Sequence, residues 1–102
     1  MFLARVIGHV VATKKDAAMS GRKLLLLRPL VVDESDPARL RPGSNTVVAV
    51  DALGAGRDEL VLFCQGSSAR AADGMKTLPI DAAVIGIVDS VDVMNKRIHP
   101  PA

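Results

Sequence analysis

The sequence contains no tryptophan and no tyrosine, and its only aromatic residues are two phenylalanines. Proteins that bind single-stranded nucleic acid stack the bases on aromatic side chains, and this chain has almost none to offer. Its formal net charge is only +2, with Lys and Arg scattered along the sequence, whereas nucleic-acid binders usually concentrate basic residues on one face. We therefore expect no nucleic-acid partner.

Cysteine is nearly absent as well. The single Cys64 excludes a disulfide within the chain, and its position in an apolar run predicts a buried, inert thiol. One cysteine and two distant histidines, His9 and His99, do not supply the three or four ligands that a metal site needs. The sequence predicts neither a metal nor a cofactor.

Long hydrophobic runs are missing too. The longest apolar stretches, such as Leu24 to Leu27, are far shorter than the ~20 residues of a membrane-spanning helix. No basic segment precedes the apolar start, so we do not expect a secretory signal. These patterns predict a cytoplasmic chain without a membrane partner.

Hydrophobic residues are nevertheless abundant, at 49% of the 102 residues. A chain of this length forms one domain, and a small soluble monomer needs a largely polar surface. The surplus indicates that another molecule covers part of the surface.

Hydrophobic alternation and turn residues predict five strands and an all-β fold. The strands are expected at Phe2 to Thr13, Lys23 to Val32, Thr46 to Asp51, Glu59 to Cys64 and Ala82 to Met94. One short helix is expected between the fourth and fifth strands, starting at Ser67 or Ser68 and ending near Asp73. This order suits a small, partly closed OB-like β-barrel. We expect the barrel domain at 1–94 and a mobile C-terminal tail at 95–102.

The strand faces predict how the barrel is covered. One face of the first strand is wholly apolar and is assigned to the barrel interior: Phe2, Ala4, Val6, Gly8, Val10 and Ala12. The last strand is apolar on both faces, yet the sequence has no amphipathic helix to cover the outer one. The second layer is therefore expected to be another copy of the chain, which predicts an obligate oligomer.

Catalytic candidates are few. A nucleophile would have to be Ser67, Ser68 or Cys64, with His9 or His99 as the base. Nothing in the spacing connects these residues, so we do not expect an enzyme.

Two glycine-containing segments are candidates for binding or contact. The Gly54-Ala55-Gly56 loop lacks a following lysine and precedes a strand, so it predicts a tight turn and not a phosphate loop. The segment from Gly66 to Arg70 combines free backbone N–H groups at a helix start with a guanidinium. It suits an anion, or equally a carboxylate or carbonyl of a neighbouring subunit.

A series of short segments occurs along the chain in a recognisable order and spacing. They are Ala4-Arg5-Val6-Ile7-Gly8, Gly21, Lys23-Leu24-Leu25, Val48-Ala49-Val50-Asp51, Gly54-Ala55-Gly56, Val61-Leu62, Gly66-Ser67-Ser68-Ala69-Arg70, Pro79-Ile80-Asp81-Ala82 and Ile85-Gly86-Ile87-Val88-Asp89. In this series the chain resembles the EutN/CcmL family of bacterial microcompartment shell vertex proteins, from Met1 to about Val93.

The resemblance implies a structural shell protein: a five-stranded barrel that forms a homopentamer, caps the vertices of a microcompartment shell and contacts hexameric shell proteins. It also implies that one set of residues serves packing and subunit contacts, with Arg70 as an interfacial donor. The set is Gly54, Ala55, Gly56, Ser67, Ser68 and Arg70. The alternative function is an OB-like binding module for single-stranded nucleic acid or another small polar ligand.

Overall fold

A computed structural model describes residues 1–13, 15–72 and 74–100. Within this part the chain forms eight strands and two short 3-10 helices. The strands are β1 Phe2–Val10, β2 Lys23–Val32, β3 Leu40–Pro42, β4 Val47–Asp51, β5 Leu60–Gln65, β6 Ala82–Ile87, β7 Val91–Val93 and β8 Lys96–His99. The first 3-10 helix is Ala17–Met19 and the second is Gly66–Ala71.

Five strands close into a barrel in the order β1-β5-β6-β4-β2, and β2 pairs back onto β1. The β4–β6 pairing is parallel, while the other neighbours in the barrel are antiparallel. Closure satisfies the backbone groups that an open sheet would leave at its edges. The predicted five-stranded barrel is confirmed.

The strand ends differ from the prediction. The first strand stops at Val10 and not at Thr13, and the predicted last strand divides into β6 and β7. The polar loop between β2 and β4 contains β3, which pairs with the far end of β2 through Val31 and Arg41. Short strands of this kind lack the apolar run on which the prediction depended.

Within the tail expected at 95–102, Lys96–His99 form β8 and pair with β7. The two strands are joined at Met94 and Asn95, which have φ angles of 49° and 66°. Positive φ at both central residues is the geometry of a tight β-hairpin turn. Pro101 and Ala102 lie outside the described residues.

A β-bulge corrects the predicted face of β1. Val6 lies opposite Leu27, whereas Gly8 lies opposite Leu26, so Ile7 is an extra residue in β1. Leu27 is fully buried in the barrel and Leu26 is not. The inward face predicted for β1 is therefore correct up to Val6, and Gly8 lies on the outer face because the bulge reverses the alternation.

The same device interrupts β6. Val84 lies opposite Phe63 and Gly86 opposite Leu62, so that Ile85 is the extra residue. The two faces predicted for the last strand exchange at this point. A prediction of strand faces from period-two alternation assumes regular pairing. One inserted residue moves every following side chain to the opposite face, so the prediction fails beyond it.

The barrel interior holds the main core, which includes Ala4, Val6, Leu25, Leu27, Ala49, Ala55, Val61, Phe63, Ala82 and Val84. A second cluster lies outside the barrel, where the segment 66–80 covers part of β4, β5 and β6. Its buried members are Val50, Cys64, Ala69, Met75, Leu78, Ile80 and Ala83. One sector of the barrel wall is thus covered by the chain itself.

The predicted short helix is present as the second 3-10 helix. Its N-cap residue is Gln65, whose side chain makes no capping hydrogen bond, and not Ser67 or Ser68. The predicted end at Asp73 lies outside the described residues, and the C-cap is Ala72.

Candidate functional site

The loop after β4 is organised by a buried carboxylate. The Asp51 side chain is fully buried and accepts hydrogen bonds from the backbone N–H groups of Leu53, at 2.9 Å, and Ala55, at 2.8 Å. Lys23 Nζ donates to the Ala55 carbonyl at 2.7 Å and lies 3.7 Å from Asp51 Oδ2. The loop conformation is therefore fixed by Asp51 and Lys23.

The three loop residues predicted from the sequence, Gly54, Ala55 and Gly56, differ from one another in exposure. Gly54 is exposed and has a φ angle of 87°, which favours glycine. Ala55 is fully buried in the barrel core. Gly56 donates its N–H to Glu59 Oε1 at 2.6 Å. Of the three, Gly54 is exposed and Gly56 is half-buried, whereas the Ala55 side chain packs inside its own barrel.

Sequence reasoning missed Asp51 as the residue that fixes this loop. The available signal was an aspartate placed two residues before Leu53 at the end of a strand, because Asp side chains commonly accept a hydrogen bond from the backbone two residues on. The second bond, to Ala55, depends on the closed turn and has no local signature.

The second predicted segment is held by different bonds. Gly66 donates its N–H to the Asp81 carbonyl at 2.7 Å, which brings the start of the helix to the start of β6. Ser67 and Ser68 are exposed. Arg70 Nη1 donates to the Ile80 carbonyl at 3.2 Å, so its guanidinium ties the helix to the chain segment that precedes β6.

The candidate nucleophile Cys64 lies on β5, whereas the candidate bases His9 and His99 lie on β1 and β8. Cys64 is buried, and its sulfur lies 3.9 Å from the Ala83 carbonyl in the cluster outside the barrel. His9 is exposed on β1, and His99 lies half-buried on β8. Among the residues 1–13, 15–72 and 74–100, no three His, Cys, Asp or Glu residues are grouped so as to hold a metal ion.

In the same part of the chain, no helix is long and apolar enough to cross a membrane.

The part of the barrel wall that the segment 66–80 leaves uncovered, here called the bare wall, has apolar residues on its outer face. A row of apolar residues crosses four strands on the outside, with Leu30, Leu3, Leu62 and Gly86 directly opposite one another. The three leucines are half-buried in the single chain. On the β4 side Val48 is 45% exposed. A surface of this kind is suited to protein contact.

Comparison with known proteins identifies the chain's relatives. The family described as "Ethanolamine utilisation protein EutN/carboxysome" matches residues 1–89. The chain belongs to the EutN/CcmL family. Its relatives include the bacterial microcompartment shell vertex protein PduN of Salmonella typhimurium, which is 50% identical over 91 residues, or 89% of this chain and 98% of PduN. The shell vertex protein GrpN of Rhodospirillum rubrum is 45% identical over 95 residues, or 93% of this chain and all of GrpN.

Solved structures of the EutN/CcmL family have the same fold. CcmL of Gloeobacter violaceus superimposes with a TM-score of 0.83 at 43% identity, covering 97% of this chain and 96% of CcmL. The structure of GrpN, described as a pentameric microcompartment shell protein, superimposes with a TM-score of 0.76 at 44% identity, covering 91% of this chain and all of GrpN. Both likenesses extend over nearly the whole chain.

Membership of the EutN/CcmL family confirms the function predicted from the sequence, a structural shell protein of the vertex class in a bacterial microcompartment. It also confirms the predicted location in the microcompartment shell. The alternative, an OB-like binding module, gains no support from these relatives.

Proposed function

We propose that five copies of this chain form a ring that caps a vertex of a microcompartment shell and contacts hexameric shell proteins along its edges. The bare apolar wall of the barrel carries the proposal, since Leu3, Leu30 and Leu62 lie side by side on strands β1, β2 and β5, and a contiguous apolar patch is typical of a protein contact surface. The pentameric state of GrpN supports the copy number.

The filled interior of the barrel supports a structural role over a binding role. Large side chains such as Leu25, Leu27 and Phe63 occupy the inside and are almost fully buried. Small barrels filled in this way have no internal room for a ligand. The surface left for function is the outside.

We further propose that the protein is not an enzyme. The shell vertex role of PduN and GrpN supports this, and so does the position of Cys64 in an apolar cluster remote from solvent. A buried thiol in apolar surroundings is a poor nucleophile.

The residues that the sequence nominated for subunit contacts have separate roles in this proposal. Gly54, Ser67 and Ser68 are exposed and are proposed to touch neighbouring proteins in the shell. Arg70 fixes the segment before β6 through its bond to Ile80, and the exposed remainder of its side chain can donate to a neighbour. Ala55 and Gly56 stabilise the loop itself: the Ala55 side chain packs in the barrel core, and the Gly56 N–H donates to Glu59 Oε1.

A shell built from hexameric tiles supports the proposed position at vertices. Flat hexagonal layers close into a polyhedron only where five-fold units replace six-fold ones. A ring of five barrels supplies such a unit, which supports the proposed contact with hexameric shell proteins.

Shell assembly tests the proposed function directly. A hexameric microcompartment shell protein is assembled with and without this chain, and the products are imaged by electron microscopy. We expect closed particles when both proteins are present and open sheets or tubes with the hexamer alone. Equal closure in both samples would contradict the vertex role.

A further inference from the structure

Two arginines face each other on the bare wall of the barrel. Arg5 on β1 lies directly opposite Arg28 on β2, and both are half-buried. Arg5 Nη1 donates to the Asp58 carbonyl at 2.9 Å. In the described part of the chain, neither guanidinium lies within 4.0 Å of a carboxylate. Like charges directly opposite on neighbouring strands repel, so a carboxylate supplied by another molecule would stabilise this pair.

Apolar residues surround the two arginines. Leu3 and Leu30 form the next outward-facing pair along β1 and β2, and Leu62 continues the row on β5. We call this surface the arginine wall, defined by Leu3, Arg5, Arg28, Leu30 and Leu62. Leucines beside half-buried guanidinium groups are typical of the centre of a protein interface, where arginine is enriched.

A complementary surface lies on the β4 side of the barrel. It is a groove of about 230 Å³ between β2, β4 and the segment before β6, and its lining includes Met19, Leu24, Val48, Pro79, Ile80 and Asp81. Among the described residues that line it, Asp81 is the one that carries a charge, and Asp81 is exposed. We call this surface the acid groove.

The symmetry of a ring indicates that each of these two surfaces contacts a neighbouring copy of the chain. A closed ring of identical subunits needs a head-to-tail contact between two different patches on each subunit. The arginine wall extends over β1, β5 and the end of β2, whereas the acid groove extends over β4, the segment before β6 and the start of β2, so the two surfaces share only β2. Both are mostly apolar, and their charges are opposite.

We propose that the arginine wall of one subunit packs on the acid groove of the next, with the Asp81 carboxylate accepting hydrogen bonds from Arg5 or Arg28 across the contact. This inference rests on the proposed ring, and it names the surfaces that build it. A carboxylate between the two guanidinium groups removes their repulsion, and charge-assisted bonds to arginine give the contact its register.

Complementation between two variants tests the head-to-tail arrangement. Leu62→Asp disables the arginine wall, and Val48→Asp disables the acid groove. Each variant alone is expected to be a monomer. Their mixture is expected to form a 1:1 pair and nothing larger, because only one intact wall and one intact groove can meet. Native mass spectrometry measures the mass of each variant alone and of the mixture.

Other contacts give other results in the same experiment. A wall-to-wall contact would leave Val48→Asp able to associate alone, and a groove-to-groove contact would leave Leu62→Asp able to do so. Either result, or two variants that both keep the wild-type mass, overturns the inference. Val11→Asp is the control, since Val11 is 84% exposed and belongs to neither surface. Circular dichroism verifies the fold, and Leu62→Ser with Val48→Thr replace any variant that fails to fold.

A charge exchange tests the proposed pair. Arg28→Glu and Asp81→Arg, made singly, are each expected to raise the dissociation constant of the ring contact about tenfold or more, since each puts like charges face to face. The double variant is expected to recover most of the loss. If the double variant instead shows the sum of the two single losses in affinity, the proposed role of Asp81 is overturned. A wild-type chain that forms no ring would instead refute the proposed function, so the two failures are distinguishable.

Discussion

At the residue scale, Asp51 organises the loop after β4, because its buried carboxylate accepts hydrogen bonds from two backbone N–H groups and lies 3.7 Å from the Lys23 ammonium. Asp51→Ala would leave the N–H groups of Leu53 and Ala55 without their acceptor. We expect the free energy of unfolding to fall by about 2 kcal/mol, as is usual for a buried group that loses its partner. Urea denaturation measures the change.

Asp58→Asn provides the matched control. The Asp58 side chain is 78% exposed, and its φ angle of 71° is one that asparagine also tolerates. We expect a change within about 0.5 kcal/mol, as for other surface substitutions. An equal loss in both variants would contradict the special role of Asp51.

A second residue-scale prediction concerns Asp33, in the loop after β2. The Ser35 hydroxyl donates to Asp33 Oδ1 at 2.7 Å, and this bond lowers the pKa of Asp33 below its ordinary value of 3.8. Ser35→Ala is therefore expected to raise the pKa of Asp33 toward 3.8, as an NMR titration would measure. The stabilisation is present above the unfolded-state pKa and is lost as the pH falls through the folded-state pKa. An unchanged pKa would contradict the role of the hydroxyl, and Ser44→Ala is the control.

At the element scale, the barrel strands could be predicted because alternation and turn residues mark them. The bulges at Ile7 and Ile85 could not, since each is one extra residue within an apolar run. Strand β8 was missed because Lys96 and Arg97 give it no apolar face, and its pairing comes from the turn that precedes it.

The candidate site was predictable to a similar degree. The turn at Gly54 and the short helix that contains Ser67 were located from glycine and helix-start signals. The inward position of Ala55 was not, because one small apolar residue in a loop has no periodicity to reveal it. The partner of Arg70, the Ile80 carbonyl, depends on how the segment before β6 folds back.

The terminal hairpin is expected to contribute little to stability. Between Lys96 and Pro100 no residue is fully buried, and an isolated two-stranded hairpin is only marginally stable. Truncation after Met94 is therefore expected to lower the free energy of unfolding by less than about 1 kcal/mol, whereas Leu27→Ala in the barrel core should cost about 2–5 kcal/mol. Chemical denaturation compares the two variants, and a larger loss on truncation would show that the hairpin supports the barrel.

At the scale of the whole molecule, the hydrophobic surplus of the sequence is divided among three places. The barrel interior takes one part and the cluster under the segment 66–80 takes another. The remainder lies on the outer wall around Leu3, Leu62 and Val48. Among residues 1–13, 15–72 and 74–100 no further element covers it, which agrees with the second copy predicted from the sequence.

The most direct test of the proposed vertex ring is the native mass of the purified wild-type chain, measured by light scattering across a dilution series. The account predicts a persistent species of five subunits of 10.7 kDa each. A monomer that is stable at all concentrations would contradict it, because the apolar wall would then be an ordinary solvent-exposed surface.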